Sequence, residues 1–233
     1  MTVQARGRPS ARQLTHATLR LGTRVLCARD PDLAAIVLRL GPPPLWARRP
    51  GFPTLVRIVL EQQVSLAAAR RMYERLRSHT GPLTPEVISR LGVHGMRGLG
   101  FTRQKASYCH GLAESLRRGH LDLSAIARSA DDTGRQTLLQ QRGLGPWSVD
   151  IYYLMALRRP DIWPQGDLAL EQAVSQVKRL RSRPGPPRLA RMAAAWTPWR
   201  SVAARILWQH YLAASSVGRP FPGTRVRAGR ASP

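Results

Sequence analysis

The sequence predicts an all-α fold. Between residues 13 and 216, apolar residues recur at helical spacing in one segment after another, and the alternating pattern of a half-buried strand is hard to find. Breaks rich in proline and glycine separate these segments, as in Gly41-Pro42-Pro43-Pro44 and Gly143-Leu144-Gly145-Pro146. These observations predict a compact all-α protein of about ten helices.

Each predicted helix lies between two such breaks. The predicted ranges are 14–27, 31–40, 53–63, 66–78, 84–90, 103–118, 133–141, 146–157, 168–180, 187–195 and 198–213. Residues 1–12 and 217–233 are rich in Arg, Gly, Pro and Ser. This composition predicts a basic disordered arm and a disordered basic tail around a folded domain at 13–216.

The charge balance points to a polyanionic partner. Thirty-seven basic residues against thirteen acidic ones give a net charge of +24, and basic side chains gain affinity for nucleic acid by releasing its condensed counterions. Nearly all the basic residues are arginine, however, a skew that a GC-rich genome also produces. No apolar run is long enough to span a membrane, so we expect no membrane association.

Cysteine is sparse. Cys27 and Cys109 are the only two in the chain, too few for a disulfide framework, a four-cysteine iron–sulfur site or a zinc spacing. We therefore expect an intracellular, reducing environment and no required cofactor.

The segment from Leu138 to Ser148 is the most informative. A predicted helix ends there in Gly143-Leu144-Gly145, and Pro146 stands where the next helix should begin. Glycines permit positive φ angles and leave the backbone bare, so a DNA phosphate could approach the amides at the second helix's start. An ordinary connection between helices would explain Gly-Leu-Gly by itself, and we interpret Gly98-Leu99-Gly100 in that way.

A carboxylate follows at a fixed distance from this hairpin. Twenty positions after Trp147, a Pro-Gln-Gly loop places Asp167 at the start of a predicted helix. Three more motifs accompany these two. They are Glu61-Gln62-Gln63-Val64-Ser65, Leu99-Gly-Phe-Thr-Arg-Gln-Lys-Ala106, and Trp196-Thr-Pro-Trp-Arg-Ser201 with a later Trp208. With these five pieces in order, the chain resembles the helix-hairpin-helix DNA glycosylase superfamily, and within it the 3-methyladenine DNA glycosylase II type.

The resemblance implies a two-lobed helical bundle with the active site in the cleft between the lobes, and it implies that Asp167 is the catalytic carboxylate. Breaking an N-glycosidic bond builds positive charge on the deoxyribose, which a nearby carboxylate stabilises. A helix N-cap is the alternative role for this residue. Bifunctional members carry a nucleophilic lysine directly after the hairpin, where this chain has Trp147. The resemblance therefore implies a monofunctional enzyme in which water is the nucleophile.

The resemblance also assigns the base pocket and the DNA contacts. Trp147 and Trp208 would stack on the cationic base, whereas we interpret Trp196 and Trp199 as core residues. Gln63 would fill the gap left by the flipped base. Further DNA-contacting residues are expected in the hairpin and in the other motifs. They are Gly143, Gly145, Ser65 and Lys105.

Two of these assignments have simpler alternatives. Ser65 is equally suited to cap the following helix, and Lys105 could be a plain surface charge. The backbone carbonyls of Leu139, Gln141 and Leu144 could also hold a structural monovalent cation at the hairpin.

These expectations combine into one function. We expect a monomeric enzyme that excises alkylated purines, of the 3-methyladenine or 7-methylguanine class, from double-stranded DNA during base excision repair. Its location would be the cytoplasm, on the nucleoid, in a bacterium, or the nucleus in a eukaryote. One alternative is a non-catalytic protein of the same fold that binds damaged or branched DNA. Another is a general nucleoid or RNA-binding protein, which explains the charge but not the loop of Asp167.

Overall fold

The computed structural model describes residues 13–216, and the predicted arm at 1–12 and tail at 217–233 lie outside the described residues. The described part of the chain contains twelve α-helices and no strand, which confirms the all-α prediction. The helices are α1 (His16–Arg29), α2 (Pro31–Leu40), α3 (Phe52–Glu61), α4 (Leu66–Thr80), α5 (Pro85–Gly98), α6 (Arg103–Arg117), α7 (Leu123–Arg128), α8 (Asp131–Leu139), α9 (Pro146–Ile151), α10 (Leu168–Val177), α11 (Pro186–Ala194) and α12 (Arg200–Ser216).

Three elements differ from the prediction. Helix α7 was not predicted, because its six residues are too few to show a helical period, although Asp122 caps it by accepting bonds from the amides of Ser124 and Ala125. Helix α5 continues beyond the predicted end, with a break at Gly92, whose φ is 65°. The helix predicted at 146–157 is α-helical only as far as Ile151 and continues as a π-helical turn at Tyr152–Ala156.

The described chain divides into two compact units. The first comprises the residues up to Ala47, together with Tyr153–Trp163 and Ala169–Ala213. The second comprises Arg48–Tyr152 and Pro164–Leu168. Two units agree with the expectation of a two-lobed bundle. Within residues 13–216, no helix combines the length and the hydrophobicity that crossing a bilayer requires.

The first unit contains a fully buried cation among its apolar side chains. The Arg205 guanidinium donates to the carbonyls of Leu45, Leu154 and Ser201 at 2.8–2.9 Å, and burial lowers its pKa to about 9. Three carbonyl acceptors replace the water that this group loses. The rings of Trp163 and Trp196 pack with centroids 5.3 Å apart.

The tryptophans interpreted as core residues do pack in this unit. Trp196 is almost fully buried. The ring of Trp199 lies so close to Gly22 that a side chain at that glycine would touch it. The core interpretation is therefore confirmed for Trp196, whereas Trp199 is only partly buried.

Asp30 ties α2 to the turns that follow α10 and α11. Its carboxylate caps α2 through the amides of Asp32 and Leu33. It also accepts from Lys178 Nζ at 2.7 Å and from Trp196 Nε1 at 2.8 Å. Burial alone would raise its pKa, but the bonds from Lys178 and Trp196 and the lysine charge outweigh burial and lower the pKa below its ordinary value.

The second unit is built around α3. Phe52, Leu55, Val56, Ile58, Val59 and Leu60 are all buried along this helix, which packs against α4, α6 and α9. The buried carboxylate of Glu61, at the end of α3, accepts bonds from both Arg48 and Arg57. Helix α3 therefore ends at a fixed point, immediately before Gln62 and Gln63.

The Asp30 network predicts a pH-dependent contribution to stability. Because the folded pKa is depressed, this stability is present above the unfolded value near 3.8 and is lost as the pH falls through the folded pKa. Asp30→Asn keeps an N-cap but removes the charge. It should lower the free energy of unfolding by about 1–3 kcal/mol at pH 7, and the difference from wild type should shrink below pH 4.

Urea denaturation of both proteins between pH 3 and pH 7 measures this difference. Asp132→Asn is the control, because it removes the charge of an exposed aspartate outside the network. An Asp30→Asn deficit that is the same at every pH would contradict the charge-based explanation.

Candidate functional site

The hairpin has the predicted form but uses its two glycines differently. Helix α8 ends at Leu139, and α9 begins at Pro146 with Gly145 as its N-cap. Gly143 has a φ of 94°, whereas Gly145 is extended, with φ −84° and ψ 176°. Gly145 therefore does not use the positive φ angles that glycine permits, because a residue before proline is biased towards extended backbone.

Gly143 is also fixed by contact. A Cβ atom at this position would overlap the ring of Tyr108, which lies against the turn, whereas a Cβ atom at Gly145 would meet open space. Gly145 is exposed, as is Pro146 beside it. The turn therefore needs glycine at 143 for its shape, while bare backbone at 145 leaves the start of α9 accessible.

Gln62 joins the end of α3 to the hairpin. Its side-chain amide donates to the carbonyl of Gly143 and to Ser148 Oγ, both at 2.8 Å. The sequence motif selected the neighbouring Gln63 and left Gln62 without a role. This contact bridges 81 positions, so no local pattern could have revealed it.

Gln63 is exposed in a backbone conformation that non-glycine residues avoid. Its φ is 57°, in the left-handed region that costs a residue with a side chain on the order of 1 kcal/mol. The following Ser65 accepts from the amide of Ala68 and caps α4, so its alternative role as a cap is confirmed. The DNA-contacting roles of Gln63 and Ser65 stay predictions.

The predicted catalytic carboxylate lies next to the predicted base-pocket residue. Trp147 Nε1 donates to Asp167 Oδ2 at 2.9 Å, and Asp167 is only 6% exposed. Asp167 directly precedes α10, and Trp147 is the second residue of α9. Local folding at two helix starts thus places a carboxylate beside the hairpin.

Asp150 is a further buried carboxylate that the motifs did not identify. It is fully buried on α9 and forms an ion pair with Arg135 of α8. Its Oδ2 accepts from the backbone amide of Gln165 at 3.0 Å. One side chain therefore connects both hairpin helices to the loop that carries Asp167.

Lys105 is not a plain surface charge, and that alternative is wrong. The side chain is buried at the start of α6, and Nζ donates to the carbonyl of Leu60 at 2.6 Å. Burial lowers the pKa of Lys105. The amine satisfies a carbonyl near the end of α3, and its contact with DNA phosphate stays a prediction.

The remaining predicted residues are distributed between the two units. Trp208 lies in α12 of the first unit and is largely buried. In the hairpin, the carbonyl of Gln141 accepts from the amide of Leu144 at 3.0 Å, which leaves it a second lone pair for a cation. Leu139 is the last residue of α8. No group of three or more His, Cys, Asp or Glu in the described residues could hold a metal ion.

Comparison with known proteins agrees with this architecture. Residues 56–200 match the model of the HhH-GPD superfamily base excision DNA repair proteins. That match covers more than half of the sequence. The chain therefore belongs to this superfamily, which confirms the family predicted from the five motifs.

The individual relatives have low sequence identity to this chain. The Bacillus subtilis protein YfjP is 28% identical over 163 residues, which are 66% of this chain and 57% of that protein's length. DNA-3-methyladenine glycosylase 1 of Schizosaccharomyces pombe is 28% identical over 162 residues, covering 68% of this chain and 71% of the relative. A solved structure of the S. pombe 3-methyladenine DNA glycosylase with abasic DNA has a TM-score of 0.72 at 24% identity, covering 81% of this chain and 95% of the other.

The two hairpin glycines should respond differently to the same substitution. Gly143→Ala forces a positive φ on a side-chain-bearing residue and a clash with Tyr108, so it should lower the free energy of unfolding by roughly 1–3 kcal/mol. Gly145→Ala should be nearly neutral. Thermal unfolding followed by circular dichroism compares the two variants, and equal losses would show that the turn does not depend on the Gly143 conformation.

Proposed function

We propose that the chain is a monofunctional DNA glycosylase that releases alkylated purines from duplex DNA and leaves an abasic site. Its expected substrates are bases of the 3-methyladenine or 7-methylguanine class. Membership of the base excision repair superfamily and the name of the S. pombe relative, DNA-3-methyladenine glycosylase 1, support this proposal. The 28% identity of that relative leaves the lesion preference to experiment.

The observation that carries the proposal is the carboxylate of Asp167, held 2.9 Å from the Trp147 indole nitrogen beside the hairpin. As the glycosidic bond breaks, positive charge develops on the deoxyribose ring. A carboxylate about 4 Å away, at an effective dielectric constant near 20, stabilises that charge by about 4 kcal/mol. This corresponds to nearly a thousandfold in rate. The same carboxylate can orient or deprotonate the attacking water.

The lysines support a monofunctional mechanism. A lyase reaction needs an amine that attacks the sugar carbon, and Lys105 and Lys178 are the only lysines in the sequence. Lys105 Nζ is bonded to a buried carbonyl, and Lys178 Nζ is bonded to Asp30 and Asp32 in the first unit. Neither amine belongs to the hairpin, so water is the proposed nucleophile.

Base recognition would rely on charge and stacking. An alkylated purine carries positive charge, which makes it a good leaving group and attracts it to aromatic faces. Trp147 is half-buried beside Asp167, so its ring could contact the base while its N–H orients the carboxylate. We assign the second stacking surface to Trp208, following the family resemblance.

DNA binding would combine backbone contacts with a wedge. The exposed start of α9 would offer a phosphate the backbone N–H groups of Gly145 and Trp147, since Pro146 between them has none. Such contacts bind the DNA backbone without reading its sequence. Gln63 is exposed at a left-handed residue just beyond α3, which favours a role as the side chain that replaces the flipped base. The net charge of +24 would add sequence-independent affinity.

The non-catalytic alternative differs in one measurable respect. A protein that only binds damaged or branched DNA performs no chemistry that needs a carboxylate next to the hairpin. Asp167, together with its bond to Trp147, favours the enzyme over this alternative. Release of free base from methylated duplex DNA distinguishes the two functions directly.

Asp167→Asn should abolish base release and leave DNA affinity unchanged or slightly higher, because it removes one negative charge near the phosphates. The assay measures free base released from duplex DNA containing 7-methylguanine or 3-methyladenine.

The wild-type product should hold an intact abasic site that breaks only after alkali, and borohydride should trap no covalent adduct.

Asp132→Asn is the matched control, since it removes the same charge from an exposed position on α8. It should retain wild-type activity. Substantial base release by Asp167→Asn would refute the catalytic role of this residue, and a trapped adduct would refute the monofunctional mechanism.

Gly145→Glu should weaken binding by roughly tenfold or more on damaged and undamaged duplex alike, because it places a negative charge where α9 would meet phosphate. The extended backbone and open space at this position permit the new side chain. Fluorescence anisotropy with labelled duplexes measures the dissociation constants, and circular dichroism checks the fold.

Gly185→Glu provides a closely matched control. Gly185 is also an extended N-cap, with φ −65° and ψ 164°, followed by a proline at the first position of α11. It is likewise exposed and has open space around it. If both variants lose affinity equally, the effect is general electrostatics and the hairpin has no special role.

A further inference from the structure

We propose that Asp150 is a positioning residue for Asp167, fixing the direction of that carboxylate by anchoring the loop that precedes it. This inference rests on the proposed function, because it matters for catalysis only if Asp167 acts on the glycosidic bond. Asp150 itself is fully buried in α9, so its effect would pass through the loop and not through contact with the base.

The first step is the set of bonds that Asp150 makes. One carboxylate oxygen pairs with the Arg135 guanidinium of α8, and the other accepts from the amide of Gln165 at 3.0 Å. Burying a carboxylate is costly unless such partners compensate it. An apolar side chain would fill the same space without that cost, but it could not hold a backbone amide in a fixed direction.

The second step concerns the loop. Gly166 lies between Gln165 and Asp167 with a φ of 72°, and glycine is the residue whose backbone is least restricted. The conformation of this residue must therefore be held from outside. Asp150 holds the amide on one side of Gly166, and Trp147 Nε1 holds the carboxylate on the other.

The third step is that both anchors come from one helix. Trp147 and Asp150 are three positions apart in α9, which places them on the same helical face. Because each of these side chains binds one side of Gly166, the position of the loop is fixed relative to α9. Since α9 also begins at the hairpin, the position of Asp167 is set relative to the segment proposed to grip the DNA.

A small displacement of a reacting group is enough to slow catalysis by about a hundredfold. We therefore expect Asp150→Asn to reduce the single-turnover rate of 7-methylguanine release by roughly 10- to 100-fold. The dissociation constant for the same duplex should change less than threefold, because Asp150 would not contact DNA. A loss in rate without a loss in affinity is the signature of misplacement.

A second readout does not depend on activity. Amide hydrogen exchange at Gln165 should be slow in the wild type and faster in Asp150→Asn, because the anchoring acceptor is weakened. Asp161→Asn is the matched control. Asp161 likewise pairs with an arginine and accepts a backbone amide, both from Arg200 in the first unit. It should match wild type in base release and in exchange at Gln165.

A third readout separates positioning from a general loss of structure. If Asp150 acts by fixing the direction of the Asp167 carboxylate, then adding Asp150→Asn to an Asp167→Glu enzyme, whose carboxylate is already displaced, should slow base release by a smaller factor than it slows the wild type. A general structural defect would slow both backgrounds by the same factor. If Asp150→Asn does not fold, Asp150→Glu replaces it in all three measurements, because it keeps a carboxylate for Arg135 while moving the acceptor away from the Gln165 amide.

The outcomes are distinguishable. Unchanged exchange at Gln165, or a folded Asp150→Asn enzyme within twofold of the wild-type rate, would overturn the positioning role. Wild-type protein that releases no alkylated base would overturn the proposed function, while the exchange experiment would still decide whether Asp150 anchors the loop.

Discussion

The geometry of the candidate site depends on one fully buried carboxylate and its ion pair with a partly exposed arginine. Asp150 on α9 and Arg135 on α8 hold the two hairpin helices together, and the same carboxylate binds the amide of Gln165. Removing Arg135 would be strongly destabilising, because it would leave the charge of Asp150 uncompensated in the protein interior. Asp167 and Trp147, whose contact carries the proposed chemistry, are placed by segments that this pair joins.

Backbone atoms serve as partners for buried charge in both units. Arg205 is satisfied by three carbonyls in the first unit, and Lys105 by the carbonyl of Leu60 in the second. An all-helical protein has free carbonyls where helices end or bend. Leu60 lies in the last turn of α3, and Leu154 lies within the π-helical turn. Long basic side chains therefore satisfy irregular points of the helical backbone, in addition to any role in binding polyanions.

Most helices could be predicted from the sequence because the signals that form and end them lie within a few positions of one another. Apolar periodicity, capping residues and proline at helix starts act within a few positions, and Asp167 and Gly143 were found through such short motifs. Gln62 and Asp150 were missed because their roles arise from contacts with segments distant in sequence. Gln62 and Gln63 are chemically identical, and only the left-handed backbone at Gln63 separates a side chain that points to solvent from one that bonds the hairpin. The extended conformation of Gly145 was available from the proline that follows it.

Position 147 decides how the carboxylate can be used. A lysine there would place a positive amine within reach of Asp167, available for attack on the sugar but partly neutralising the acid. The indole of Trp147 also donates a hydrogen bond to Asp167, at 2.9 Å, yet it adds no charge of its own. In the proposed mechanism it would orient the carboxylate and leave its negative charge to meet the cation that would form as an alkylated base departs. The same ring is aromatic, so one residue can serve both the stability of the reacting sugar and the attraction of a cationic base.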